Sequence, residues 1–529
     1  MLKSNQLVHR PDTGSWNRRT FLAGAGALGL SLGASNLLLP NAVRADPKKG
    51  GHFRLAVNSG STTDTLDPAT VIDSFLYPAN FSLRNNLVEL GPDGTPIGEL
   101  AESWEPSTDA TTWTFNLRPG VTFHNGKSLD ADDVIASFNN HRGEDSKSVV
   151  KAIADQIVDI VALDKSTVQF VLLAGNADWP FIMSDFHFSI VPLNGGELDT
   201  MSGIGTGPYV LLNFEPGIIL QAERNPNYWK EGRAHFDSID LINVNDGTGR
   251  QNALIAGDVD AIGRVDLKTV DRLAKVPHVR ILEVTGTQHI SMPMLTDIAP
   301  FTDNNVRMAL KHAVNRQEIL DKILGGHGAL GNDHPIAPAN RYLATDIPQR
   351  EYDPDAAAFY LKKAGLDSLD VELSASDGIL TGSLAVAQLF SESAKKAGIS
   401  IKVLNEPADL FWDSVYMKKS FILTPWGGRP TEDWMFSIGY SKDAAWNDTH
   451  WINDRFNELL VAARAELDES KRREMYYEMQ LLVRDDGGTV IPVFQNEVFA
   501  ASDAIETNGP LAKNWELDGA RATERWSFA

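Results

Sequence analysis

Not one of the 529 residues is cysteine. That excludes disulfides, thiolate metal sites, cysteine nucleophiles and a lipidated N-terminal cysteine. Positive charge is scarce: 48 Lys and Arg stand against 70 Asp and Glu, a formal charge of -22. Phosphate binding needs a net positive surface, so no nucleic acid is expected as a partner. Beyond residue 45 there is no G-x-S-x-G and no H-E-x-x-H, so no hydrolase nucleophile or zinc-protease motif stands out. Gly126-Lys127-Ser128 lacks the glycine that a phosphate-binding loop needs at position 121, which is Val. The 12 histidines are scattered, and His327 and His334 lie in a Gly-rich loop without ligand spacing. No catalytic residue, metal or cofactor is expected. What is present is ordinary for a soluble globular chain: 43 % hydrophobic and 22 % charged residues.

Residues 1–45 read as an export signal. Arg18-Arg19 precedes a mildly apolar run, Phe21 to Leu39, broken by Gly, Ser and Asn; Pro40 ends it and Val43-Arg44-Ala45 offers a cleavage site. This resembles a twin-arginine signal. The alternative is a membrane anchor, disfavoured by the polar interruptions. Gly24 to Gly29 match G-x-G-x-x-G by letter, but no strand precedes them. The sequence predicts a periplasmic protein.

The remainder reads as α/β in two lobes. Strands are expected at 52–57, 113–117, 167–173, 218–222, 239–244 and 279–285, with a helix over 130–140. Composition shifts near residue 300. Asp303 can cap a helix, Asp353-Pro354 opens another that Gly365 closes, and 371–404 forms a βαβ unit. Two helices follow over 453–467 and 470–484, then a strand over 490–494. No flexible linker divides the halves. Extended segments near 287–295 and 490–496 join them, which suggests a hinge with a ligand cleft.

Leu100-Ala101-Glu102-Ser103-Trp104 leads into Trp113-Thr114-Phe115-Asn116-Leu117-Arg118-Pro119-Gly120-Val121-Thr122-Phe123-His124-Asn125-Gly126, then Leu129-Asp130-Ala131-Asp132-Asp133-Val134. This closely resembles the signature of extracellular solute-binding proteins of ABC transporters for peptides, opines and nickel, the dipeptide-binding protein-like family. Gly205-Thr206-Gly207-Pro208-Tyr209, Asn225-Pro226-Asn227-Tyr228-Trp229 and Pro300-Phe301-Thr302-Asp303 agree in order. The resemblance implies a bilobal periplasmic binding protein, type II, peptide-binding class, with an extra subdomain in its first lobe. It divides the chain into a first lobe at 46–290, with an insertion at about 90–205, a second lobe at 291–493, and a return to the first lobe at 494–529. It also implies a monomer that delivers its ligand to an inner-membrane ABC permease.

One position departs from the peptide pattern. The family's Trp-x-Gly-Asp type segment supplies an Asp that pairs with a peptide's α-ammonium. Here the stretch is Trp426-Gly427-Gly428-Arg429-Pro430-Thr431-Glu432-Asp433-Trp434. A cation repels an ammonium, whereas Arg suits carboxylate or phosphate. Arg429 therefore reads as a contact to an anionic ligand group, with a salt bridge to a protein carboxylate such as Asp433, or a solvated rim position, as alternatives. Asp433 could instead replace the missing acid. Gly427 and Gly428 would let backbone approach the ligand. Trp426 and Trp434 either stack on it or simply pack.

Further cleft candidates are Ser59, Gly60 and Ser61 after the first strand, Gln288 and His289 at the crossover, and Trp412, Trp446 and Asn447. For His289 a buried core role stands beside the ligand role. The expected ligand is a peptide, an opine-like compound or another small anionic solute. The competing class is an exported hydrolase of peptides or esters.

Overall fold

The computed structural model describes residues 47–529. The export signal and its Gly24–Gly29 letters lie outside the described residues. Two lobes are built on separate sheets. The first holds seven strands in the order Tyr209–Glu215, Ile219–Arg224, Ser238–Asn243, His52–Val57, Ala261–Ile262, Glu497–Ser502 and Val279–Val284. His52–Val57 is parallel to both neighbours, and the other pairings are antiparallel. Both faces are covered. Phe53, Leu55 and Val57 pack with Ile239, Phe499 and Trp526 on one, and Ala56 with Ile262 and Ala500 on the other. Burial on both faces is why this strand is apolar nearly throughout.

A four-stranded antiparallel sheet forms a subdomain: Ala101–Pro106, Thr112–Leu117, Thr167–Leu172, Ile157–Asp164. Trp113, Phe115 and Leu117 are buried while Thr112, Thr114 and Asn116 between them are half-buried, the alternation of a strand with one core face. Helix Ala131–Asn139 packs Val134 and Phe138 against it. A capping box starts that helix: the Asp130 side chain accepts from the Asp133 amide, and Asp133 accepts from the Asp130 amide.

In the second lobe, His289–Pro293 pairs antiparallel with Thr424–Trp426 and, through His289, with Val493–Gln495. Leu369–Ala375 and Ile399–Asn405 run parallel, connected by helix Ser383–Ala394. Asp303 and Asp353 cap the helices Asn304–Ala313 and Pro354–Lys363. The strand expected over 490–494 is two strands, Thr489–Val490 and Val493–Gln495. Pro492 lacks the amide needed to continue the ladder, and the Ile491 amide donates to Asp333 Oδ1 at 3.0 Å.

Two segments cross between the lobes side by side. Residues 285–288 lead from Val279–Val284 into His289–Pro293, and Asn496 leads from Val493–Gln495 back to Glu497–Ser502. The Gln495 amide donates to the Gln288 carbonyl at 2.8 Å. A Cβ on Gly286 would lie 2.1 Å from the Gln495 carbonyl oxygen, so only glycine permits this approach.

The last 30 residues complete the first lobe. Three buried carboxylates, Glu89, Glu99 and Glu524, lie close together there. Their oxygens are taken by cations. Lys230 reaches all three at 2.5–3.0 Å. Arg521 reaches Glu99 at 2.8 Å and Glu524 at 2.9 Å, and Arg525 reaches Glu89 at 2.7 Å. Burial alone would raise Glu89, but Lys230, Arg521 and Arg525 together hold it well below the usual carboxylate range. The cluster is an internal charge network joining the C-terminal segment to the first lobe.

Candidate functional site

A cavity of about 280 Å³ lies between the lobes. Tyr77, Phe181, Trp515 and Glu516 of the first lobe line it, Asn340, Arg341 and Gly427 to Pro430 of the second, and Gly286 to Gln288 of the crossing segment. Glu497, the first residue of the returning strand, also faces it.

Of the residues picked from the sequence, Gln288, Gly427, Gly428 and Arg429 line this cavity. Trp434 lines an adjoining recess with Phe181, Pro430 and Trp515. The Arg429 Nη1 donates to the Gly427 carbonyl at 2.9 Å and the Gly428 carbonyl at 3.0 Å. Its guanidinium lies 6.0 Å from the Trp446 ring centroid. Among the described residues no carboxylate pairs with it, and burial lowers its pKa. The salt bridge from Arg429 to Asp433 does not form. Asp433 accepts instead from Arg464 Nε at 3.0 and 3.1 Å.

Gly428 has a different use from the one expected. A Cβ there would lie 1.7 Å from Thr287 Oγ1, so its backbone presses on the crossing segment rather than on ligand space. Gly427 has no such neighbour; a Cβ would meet only Arg429 Nη1 at 3.5 Å.

Other expected contacts lie outside the cavity lining. Trp426 is buried within the second lobe, where its Nε1 donates to Asp448 Oδ2 at 2.8 Å. Burial pushes Asp448 up to about 7. Asn447 is buried and donates to the Trp451 carbonyl at 2.8 Å. Trp412 is exposed and meets Phe411 and Tyr416 edge-on. Trp446 is half exposed beneath Arg429. His289 is buried against Phe494, with Nδ1 3.3 Å from the Thr287 carbonyl. Burial, helped by Arg429, pushes it down to about 4, so its ring is neutral.

Ser59 to Ser61 form a turn held by the first lobe itself. The Ser59 amide donates to Asn245 Oδ1 at 2.7 Å, that of Gly60 to Asn243 Oδ1 at 3.1 Å, and that of Ser61 to Asp64 Oδ2 at 2.8 Å.

The sequence reading missed Glu497, Glu516, Arg264, Arg341, Tyr77 and Trp515. Arg264 lies 4.0 Å from Glu516, and its amide donates to that carboxylate at 3.1 Å. Arg341 pairs with Glu469 and stands 5.2 Å from the Phe181 ring across the lobes. Burial, with the Glu516 carboxylate nearby, pushes Glu497 up to about 7. A usable signal existed for Glu497 alone: it heads the apolar run Val498-Phe499-Ala500-Ala501.

Two lobes on paired crossing segments, with a cavity between them lined by residues of both, are the architecture of a solute-binding protein. Residues 95–448 match the family described as bacterial extracellular solute-binding proteins, family 5. The chain belongs to this family, whose members serve as the binding components of ABC importers. It is 27 % identical over 473 residues to heme-binding protein A of Haemophilus influenzae, covering 82 % of this chain and 86 % of that protein. It is 27 % identical over 480 residues to di/tripeptide-binding protein 2 of Pseudomonas aeruginosa, covering 84 % and 89 %. The solved structure of HbpA2 from Haemophilus parasuis superposes with a TM-score of 0.80 at 20 % identity, covering 90 % of this chain and all of that one. The relatives are binding proteins, and none named here is a hydrolase. No described helix is long and apolar enough to cross a membrane.

Proposed function

We propose that this solute-binding protein works in the periplasm as a monomer, reached through the Arg18-Arg19 export signal. It captures a small peptide, opine-like compound or other anionic solute and hands it to an inner-membrane permease. The observation that carries the ligand class is Arg429. It stands in the cavity wall with no carboxylate partner among the described residues, and its Nη1 is held by two backbone carbonyls. A desolvated guanidinium in that state is stabilised by a carboxylate or phosphate brought by the ligand. The ligand touches both lobes, so it favours the closed arrangement and shifts the population toward it.

The test is mass spectrometry of the solute released when the protein, purified from the periplasm, is denatured. One compound with a carboxylate or phosphate, absent from an Arg429→Ala preparation, is expected. An uncharged or purely cationic compound would overturn the assignment, as would sustained turnover of peptide or ester substrates.

A further inference from the structure

We infer that Glu497 is a second pole of the ligand site, taking an ammonium group of the same solute whose anionic group meets Arg429. The inference rests on the reading of Arg429 above and adds to it: the ligand is a small zwitterion. Its positive end faces the first lobe and its negative end the second.

The argument is one of unmet charge. Six charged side chains besides Glu497 line the cavity: Asp93, Arg264, Arg341, Arg429, Lys513 and Glu516. Arg264 lies 4.0 Å from Glu516 and also acts on Glu497, so one guanidinium serves two carboxylates and leaves a net negative charge on that wall; Arg341 pairs with Glu469. Asp93 and Lys513 are exposed, where water solvates them. That leaves two partly buried charges of opposite sign, Glu497 and Arg429, on different walls of one cavity. Among the described residues no side chain donates a hydrogen bond to the Glu497 carboxylate. A carboxylate only partly reached by water and without a hydrogen-bonding side chain favours protonation or a cation. Its elevation to about 7 accords with this: burial first and Glu516 second raise it, and Arg264 only partly offsets them.

Nothing in the strand requires an acid at this position. Glu497 is followed by Val498, Phe499, Ala500 and Ala501, which pack in the first-lobe core. An apolar or amide side chain there would serve the sheet as well. The geometry also reverses the family pattern, in which a second-lobe acid receives the ammonium. Here the second lobe presents Arg429 and the acid comes from the returning strand. A cavity of about 280 Å³ is at the small end for ligand pockets and suits a small solute.

The test uses three matched probes on the intact protein: L-alanyl-L-alanine, its N-acetyl derivative and its C-terminal amide. Thermal unfolding is followed over a range of concentrations of each. The free-ended dipeptide is expected to raise the melting temperature, and both blocked forms to require at least tenfold higher concentration. Equal stabilisation by the N-acetyl form would overturn the role of Glu497 and leave that of Arg429 intact. Equal stabilisation by the amide would overturn the role of Arg429. No stabilisation by any probe would overturn the small zwitterion itself.

Glu497→Gln preserves shape and removes the charge. It should lose at least tenfold in affinity for the free dipeptide and none for the N-acetyl form. Retention within threefold would overturn the inference. If that variant fails to fold, the probe comparison on the unaltered protein still decides. As a further readout, binding near pH 7 should release protons, measured by calorimetry in buffers of different ionisation enthalpy, because an ammonium displaces the proton from Glu497. Absence of proton release with bound free dipeptide would also overturn it.

Discussion

Arg472 and Asp178 join the two lobes through a buried ion pair. Arg472, on the second-lobe helix Glu469–Asp486, donates from Nη1 to Asp178 Oδ1 at 2.6 Å; Asp178 belongs to the first-lobe subdomain. The Ala177 amide donates to the Arg464 carbonyl at 2.7 Å beside it. These contacts exist only when the lobes are together, so they stabilise closure separately from any ligand.

Asp178→Asn should therefore open the free protein. Removing one partner of a buried pair leaves the other charge uncompensated, at a cost of about 3–5 kcal/mol. Small-angle scattering should give a larger radius of gyration for the ligand-free variant than for the unaltered protein. An unchanged radius would show that the pair does not control closure.

Arg429→Ala should weaken binding of the released native solute by about 30-fold or more. The basis is a loss of roughly 2–5 kcal/mol for a desolvated pair, at 1.4 kcal/mol per tenfold. Arg429→Lys should recover part of this, since a point charge lacks the bidentate geometry. Calorimetry decides, and binding by the Ala variant within threefold of the original would return Arg429 to a structural role.

Gly428→Ala should destabilise the closed arrangement by pressing on the crossing segment. Its Cβ would fall 1.7 Å from Thr287 Oγ1 and 2.0 Å from Thr287 Cβ. Overpacking of this kind costs about 1–3 kcal/mol. Adding Thr287→Gly removes the two nearest atoms, leaving the backbone carbonyl carbon of residue 287 at 2.7 Å, and should restore part of the lost denaturation midpoint. No rescue would place the clash elsewhere.

Asp448→Asn should stabilise the protein more at pH 8 than at pH 5. Burial raises the Asp448 carboxyl from its ordinary value near 3.8 to about 7 in the folded chain. The folded state thus holds a proton that the unfolded state has released. The stability this gives is fully present below about pH 3.8 and is lost progressively as pH rises from there through 7. Asn keeps an oxygen to accept from Trp426 Nε1 and carries no charge. The gain at pH 8 should be on the order of a few kcal/mol, read from urea denaturation at the two pH values. Equal effects at both would overturn the assignment.

Much of the architecture was legible because its signals are local. The burial pattern of His52–Val57, the Asp130, Asp303 and Asp353 caps and the βαβ unit at 369–405 each depend on neighbours within one element. The cavity is different. Tyr77, Arg264, Gly428, Glu497 and Trp515 come from five separated segments, and no spacing along the chain marks their meeting. Arg429 could be picked out because a charge beside two glycines is conspicuous in one window. Trp426, three residues away, belongs to strand Thr424–Trp426 and is committed to Asp448, a partner 22 positions distant.

The Arg521–Glu99 pair, 422 positions apart in sequence, also bears on the order in which the protein is made. At about 5–20 residues per second, roughly 20–80 seconds separate the two residues at the ribosome. Throughout that interval Glu89 and Glu99 lack Arg521 and Arg525, and the first sheet has a gap where Glu497–Ser502 will lie. The strands of the second lobe, from His289 to Gln495, have all been synthesised by then. The lobe whose synthesis starts first is thus the one that folding finishes last.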